Sequence, residues 1–329
     1  MAFLFLVLSK PFIFYFVFKT NSCKESTICY LFFSINETMK QFFLLGLLAI
    51  TAAALMSYHS QQPKPVYLSK ACLQSCAAYE TAELVALDGK NKAFIGLHEN
   101  PIPFQLDSLL GNNINFNTPD GQKGSGYYIK PKQKTNKWLI VIQEWWGLND
   151  YIKREAQKLS ADLPNYHVLA IDIYDGKVAT TRDSAAKYMS STSKDRLEAI
   201  VKGAIEHAGK KAQIYSIGWC FGGAWSLQTA ILAGKQAAGC VMYYGRPEMD
   251  VAKLQTISCD VLGFFGRQDR GISVDMVNKF EENMKQQGKS ININFYDAGH
   301  GFANPSNPSF HVEATNDAYA KALAYLKAK

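Results

Sequence analysis

Cys220 falls between two glycines in the run Ile214-Tyr215-Ser216-Ile217-Gly218-Trp219-Cys220-Phe221-Gly222-Gly223-Ala224. A β-type run ends at Gly218 and a small-residue helical start begins at Gly222, so the thiol sits on a strand-to-helix turn. In the G-x-S-x-G arrangement a nucleophile occupies such a tight turn, and its neighbours must be small because backbone passes close by. Cysteine here replaces serine. The amides that follow open a helix, whose positive end favours a thiolate. The competing reading of the pentapeptide alone is a small, inert, buried thiol.

A cysteine nucleophile needs a base to take its proton and a third group to orient that base. Of the six histidines, His59 and His98 precede the domain, His167 adjoins a strand start, His207 ends a helix and His311 opens one. His300 differs: it lies in a glycine-bracketed loop, Asp297-Ala298-Gly299-His300-Gly301-Phe302, directly after a strand. The acid is expected from a loop between these two residues, and Asp269, in Gly266-Arg267-Gln268-Asp269-Arg270, follows a buried strand and a glycine. Asp260 and Asp275 have the positions of capping or solvated carboxylates, and Asp297 that of a turn former. An oxyanion hole would use the N–H of Phe221 and a second amide from an early loop, Gln143-Glu144-Trp145-Trp146-Gly147-Leu148. Glu144 in that loop is a carboxylate at the end of a buried strand, which is costly unless solvated or paired.

The elements that must position these residues are legible from Gly121 onward. Gly126–Ile129 reads as an edge strand, and Trp138–Ile142 as a strand buried on both faces. Strands follow at Val168–Ile171, Ile214–Ile217, Cys240–Tyr243, Val261–Phe265 and Ile291–Tyr296. Helices are expected at Tyr151–Leu163, Thr181–Met189, Ser193–His207, Phe221–Leu232, Val274–Gln287 and Phe310–Ala328. Alternation of this kind implies an α/β class, with a mostly parallel sheet and helices on both faces. Chemistry in such a sheet gathers at the strands' C-terminal ends. No internal repeat interrupts the pattern.

Before it the chain is irregular. Residues 1–38 read as a mis-called extension, and 39–58, from Met39-Lys40 into an apolar run, as a signal peptide or N-terminal anchor. Export to a periplasm or the exterior is therefore expected, with a cytoplasmic protein as the alternative. Residues 59–115 form a proline-interrupted linker and lead-in, where Leu84–Leu87 and Ala93–Leu97 could each be a strand, and 116–329 is the domain. The net charge of +7 comes from scattered lysines, so no nucleic-acid partner is expected, and membrane contact only through the anchor. Seven cysteines include Cys72 and Cys76, close enough to pair in an exported protein or to remain two free thiols. No cysteine and histidine set has zinc-motif spacing, so neither a structural metal nor a cofactor is expected.

From about Asp120 to the C-terminus the sequence resembles the dienelactone hydrolase family of α/β-hydrolases. The resemblance rests on Glu144 with Gly147-Leu148-Asn149-Asp150, Gly218-Trp219-Cys220-Phe221-Gly222-Gly223, Gly266 to Asp269, and Gly299-His300-Gly301-Phe302. The order nucleophile, acid, histidine is that of the α/β-hydrolase fold. What the resemblance implies is a Cys220, His300 and Asp269 triad, an oxyanion hole from the amides of Phe221 and Trp145, and a Glu144 that holds the resting thiol until substrate arrives. It also implies Arg182 as a basic pocket residue. Two positions depart from the family: Asn304 stands where a second arginine is expected, and Ala186 where an aromatic is. The chlorocatechol-pathway substrate is accordingly not carried over. The expected activity is hydrolysis of a small ester or lactone through an acyl-thioester. A non-hydrolytic thiol protein and a catalytically idle binding domain are the alternatives.

Overall fold

The computed structural model describes residues 95–96 and 98–329, all within one compact unit spanning residues 74–329. The expected extension at residues 1–38, the expected signal peptide or anchor at 39–58, the cysteines Cys72 and Cys76 and the strand candidate Leu84–Leu87 lie outside the described residues. No helix among the described residues is long and apolar enough to cross a membrane.

Eight strands form one sheet: β1 (Asn112–Asn117), β2 (Lys123–Ile129), β3 (Lys137–Ile142), β4 (His167–Asp172), β5 (Gln213–Trp219), β6 (Ala237–Tyr243), β7 (Val261–Gly266) and β8 (Ile291–Tyr296), in the order β1-β2-β4-β3-β5-β6-β7-β8. β2 pairs antiparallel with β1 and with β4, and all other pairs are parallel. The parallel strands β3, β5, β6 and β7 are apolar and almost wholly buried because helices cover both faces. The chain reverses its direction across the sheet at β3, which opens a crevice beside the ends of β3 and β5.

The helices are α1 (Asp150–Asp162), α2 (Arg182–Ser191), α3 (Lys194–Ala208), α4 (Phe221–Ala233), α5 (Val251–Gln255), α6 (Val274–Gln286) and α7 (Val312–Lys327). Most begin at a side chain that accepts an N–H of the first turn: Asn149 for α1, Thr181 for α2, Ser193 for α3 and Ser273 for α6. α4 begins at Cys220, whose side chain makes no capping hydrogen bond. Its sequence FGGAWSLQTAILA is apolar on every side, as suits a helix packed into the core.

Three expectations need correction. Lys123–Ile129 is not an edge strand: β1 lies outside it and begins at Asn112, four residues ahead of the expected domain start at 116. β1 was hidden because its sequence, NNINFN, puts asparagine at every exposed position, a residue depleted in strands. The stretch Ala93–Leu97 is not extended at its described positions, since Ile95 and Gly96 are helical. The short helix α5 had no signal beyond its cap, Asp250, which accepts the Ala252 N–H.

Three backbones meet where β5 turns into α4. A Cβ at Gly222 would stand 2.3 Å from the Gln143 carbonyl oxygen and 2.4 Å from that of Ile142, and a Cβ at Gly223 would stand 2.5 Å from that of Tyr243. Neither contact is relieved by rotating a side chain. Gly222→Ala is therefore expected to cost about 3 kcal/mol or more in urea unfolding. Gly288→Ala, at a φ of +68 with open space around it, should cost only about 1 kcal/mol. Equal losses would show that crowding at the turn is relieved elsewhere.

Candidate active site

The loops after five neighbouring strands converge on Cys220. The thiol follows β5, Glu144 and Trp145 follow β3, Tyr244 follows β6, Asp269 follows β7 and His300 follows β8. Cys220 has φ 54 and ψ −118, a conformation that L-residues rarely hold, and its N–H donates to the Tyr243 carbonyl at 3.0 Å. The turn thus aims the sulfur out of the sheet end while Phe221 starts α4 behind it.

The structure brings Cys220, His300 and Asp269 into one hydrogen-bonded series. Cys220 Sγ lies 3.2 Å from His300 Nε2, and His300 Nδ1 lies 2.7 Å from Asp269 Oδ2. The other carboxylate oxygen, Oδ1, accepts the N–H groups of Gly271 and Ile272 at 2.8 and 2.9 Å. Asp269 is thereby oriented by its own loop, and the series is buried throughout. With Nδ1 donating to the carboxylate, Nε2 is left with the lone pair that a thiol proton needs.

Burial pushes the Cys220 thiol up, and His300 and the Phe221 N–H only partly offset it. Burial alone would lower the His300 pKa, but the neighbouring sulfur and the Asp269 carboxylate outweigh it and hold the imidazole well above its usual range. Both directions describe a coupled pair that keeps its shared proton across neutral pH, on sulfur or on Nε2.

Glu144 is buried close to this pair, but its hydrogen bonds go elsewhere. Asn304 Nδ2 donates to Oε2 at 2.5 Å, and the Tyr244 hydroxyl makes a long contact to Oε1 at 3.5 Å. Among the described residues the thiol's side-chain partners are His300 and His98, not Glu144. Burial raises the Glu144 carboxyl to about 7, against the opposing pull of His300, Asn304 and Tyr244. The departure at Asn304 and the carboxylate at 144 are thus two halves of one contact.

Phe221 is the first residue of α4, so its N–H is free of an intrahelical partner and faces the sulfur. Trp145 is fully buried beside the site. Arg182 opens α2 with its side chain exposed, and its backbone N–H donates to the Asn100 side chain at 2.9 Å. Ala186 is buried within that helix.

Two neighbours of the sulfur escaped the sequence reading. His98, which reads as preceding the domain, is buried with Nε2 3.4 Å from Cys220 Sγ. Its ring tilts against Trp145 at 4.4 Å and meets His300 edge-on at 5.1 Å. No periodic pattern surrounds His98, so nothing in its vicinity marks it. Tyr174, two residues beyond β4, is fully buried and near enough for the sulfur to raise its pKa further after burial has done so. Among the described residues its hydroxyl has no hydrogen-bond partner.

A mostly parallel sheet with a cysteine on the sharp turn after its fifth strand, an acid after the seventh and a histidine after the eighth defines an α/β-hydrolase. The sequence model of the dienelactone hydrolase family matches residues 125–329. A carboxymethylenebutenolidase of a Pseudomonas species is 34% identical over 67% of this chain and 96% of its own length. Carboxymethylenebutenolidase 1 of Cupriavidus pinatubonensis is 23% identical over 66% of this chain and 97% of its own. Among solved structures, a dienelactone hydrolase-like promiscuous phosphotriesterase from metagenomic libraries superposes with TM-score 0.55 at 21% identity, covering 66% of this chain and 97% of that one. An esterase of Pyrococcus furiosus superposes with TM-score 0.52 at 16% identity, covering 69% and 98%. The chain belongs to the dienelactone hydrolase family and is, with it, a carboxylic ester hydrolase.

The Glu144 carboxyl gives the fold a pH dependence of defined sign. Its pKa is about 7 in the folded protein against an ordinary 4.5. Between these values the unfolded chain has released the proton that the folded chain retains, so stability falls as pH rises and the loss is complete above pH 7. Glu144→Gln should remove a fall of up to about 3 kcal/mol between pH 5 and 8 in urea titrations. Parallel curves for the two proteins would mean that the carboxyl ionises in its ordinary range.

Proposed function

We propose that this protein hydrolyses a small ester or lactone through a Cys220, His300 and Asp269 triad and an acyl-thioester. The observation that carries the reading is the continuous series from Asp269 Oδ2 to His300 Nδ1 and from His300 Nε2 to Cys220 Sγ, at 2.7 and 3.2 Å, ending on a strained turn at a helix start.

In the first half-reaction the thiol proton passes to His300 Nε2 as sulfur attacks the carbonyl carbon. The N–H groups of Phe221 and Trp145 stabilise the oxyanion. His300 returns the proton to the departing alkoxide, and an alcohol, or the ring-opened hydroxyl of a lactone, leaves behind a thioester. In the second half-reaction water gives a proton to Nε2 and attacks the thioester carbon, freeing the acid, and the proton returns to sulfur. Asp269 orients the imidazole and steadies the imidazolium in both halves.

Glu144 acts on the resting thiol through its charge, which helps to hold the thiol pKa up, and not through a hydrogen bond to sulfur. A neutral thiol resists oxidation, and burial of Cys220 works in the same direction. Tyr174 offers a buried hydroxyl to the substrate. Arg182, exposed at the start of α2, is the basic group that this reading assigns to a carboxylated substrate. Among the described cysteines Cys220 is free, and its sulfur contacts imidazoles, which favours hydrolysis over a disulfide role.

The test is turnover of aryl esters and lactones, with and without a carboxylate, by the full chain. Cys220→Ala should abolish it, and Asp269→Asn should lower kcat by roughly a thousandfold or more while the protein stays folded. Arg182→Ala should raise KM for the carboxylated members alone. Turnover that survives in Cys220→Ala would remove cysteine from the mechanism.

A further inference from the structure

Hydrolysis requires one imidazole at the sulfur, and the structure supplies two. His98, Cys220 and His300 are all buried, and each offers a ligand atom within 4.8 Å of the other two. The two sulfur-to-nitrogen distances are 3.4 and 3.2 Å. Around a tetrahedral zinc ion, with Zn–S about 2.3 Å and Zn–N about 2.0–2.1 Å, sulfur and nitrogen stand about 3.5 Å apart. The protein therefore already holds both edges of such a site at nearly the required length. Two nitrogens on one ion stand about 3.3 Å apart, so the two imidazoles, whose separation is at most 4.8 Å, would close toward each other as the ion binds.

We propose that His98, Cys220 and His300 form a reversible binding site for a thiophilic divalent cation of the zinc type, with a fourth position open to water. The donor set of two imidazoles and a thiolate selects zinc and its soft relatives over magnesium or calcium, which prefer oxygen. Binding exchanges the cation for the proton that sulfur and His300 share, so one proton is released and a thiolate–metal bond forms. No oxidant or reductant takes part. Asp269 already holds His300 Nδ1, the arrangement by which a carboxylate orients a metal-binding imidazole. Asp269 is buried against His300, and its carboxylate and the thiolate supply negative charge where burial would otherwise oppose a cation.

The three ligands are separated by 122 and 80 residues, so local spacing motifs cannot reveal them. His98 also precedes the matched family region, which begins at residue 125. The site is thus a property that the lead-in segment adds to the family domain. If the proposed hydrolysis holds, bound cation occupies nucleophile and base together and switches turnover off until it is removed.

The test measures binding directly. The full chain, stripped with chelator and reduced, is titrated with Zn2+ by calorimetry in buffers of different ionisation enthalpy, and separately with Co2+ while the absorption spectrum is recorded. The expected result is release of about one proton per bound ion, a thiolate-to-cobalt charge-transfer band with tetrahedral visible bands, and no binding of Mg2+. Cys220→Ala should abolish the band, which also separates this site from Cys72, Cys76 and the other thiols. His98→Ala should weaken Zn2+ at least tenfold, with circular dichroism confirming the fold. A band that persists in Cys220→Ala, an unchanged affinity in His98→Ala, or no cobalt thiolate band in the unmodified chain would each overturn the proposal. None of these readings requires turnover, so they stand or fall apart from the hydrolase mechanism.

Discussion

The candidate site depends on the absence of side chains at three positions. Gly218 lies with its Cβ direction 2.1 Å from the Gly222 carbonyl oxygen, Gly222 faces the end of β3, and Gly223 faces the end of β6. With ordinary residues there, α4 could not approach the sheet, and Cys220 could not be held at φ 54. The contact also sets what surrounds the sulfur. Gly222 against Ile142 and Gln143 places the following residues, Glu144 and Trp145, beside the thiol. Gly223 against Tyr243 and Gly245 does the same for Tyr244. Strain in one residue's backbone is offset by packing of the helix behind it, and the crowded turn fixes the position of three loops at once.

Burying ionisable groups is the corresponding cost, and each is met by particular partners. Asp269 spends one oxygen on two backbone N–H groups and the other on His300. His300 packs edge-on against the rings of Tyr244 and His98, with centroids at 5.3 and 5.1 Å. Glu144 has an amide and a distant phenol. The first two form a charge-assisted pair whose geometry resists loss of either partner. The third is weakly compensated, so its proton is held to about neutral pH. The charges nearest the sulfur are thus of two kinds: one locked by geometry, the other adjustable by pH.

Legibility in the sequence followed physical context. Central strands such as Trp138–Ile142 announce themselves because both faces are buried and the apolar run is unbroken. The elbow is legible because its glycines are demanded by backbone crowding that any such turn must have. Asp269 and His300 are legible from position after a strand, since parallel sheets collect chemistry at those ends. β1 is not, because an edge strand needs only one apolar face and here uses asparagine on the other. His98 is not, because its place depends on Trp145, Trp146 and His300 coming together in three dimensions, not on any repeat around it. The hydrogen bond from Asn304 to Glu144 is of the same sort: each position is conspicuous alone, and only the fold, closing 160 residues of chain, shows that they answer each other.

That pairing has a consequence for how the site holds charge. An arginine at position 304 would set a full positive charge beside Glu144 and pull its carboxyl down by about 1–3 units. The amide of Asn304 donates one hydrogen bond without a charge, and burial then dominates. Glu144 is consequently neutral or ionised according to pH, with its change at about pH 7. The protonation of the resting site is therefore set in part by one side chain, Asn304, which touches the carboxylate and not the sulfur.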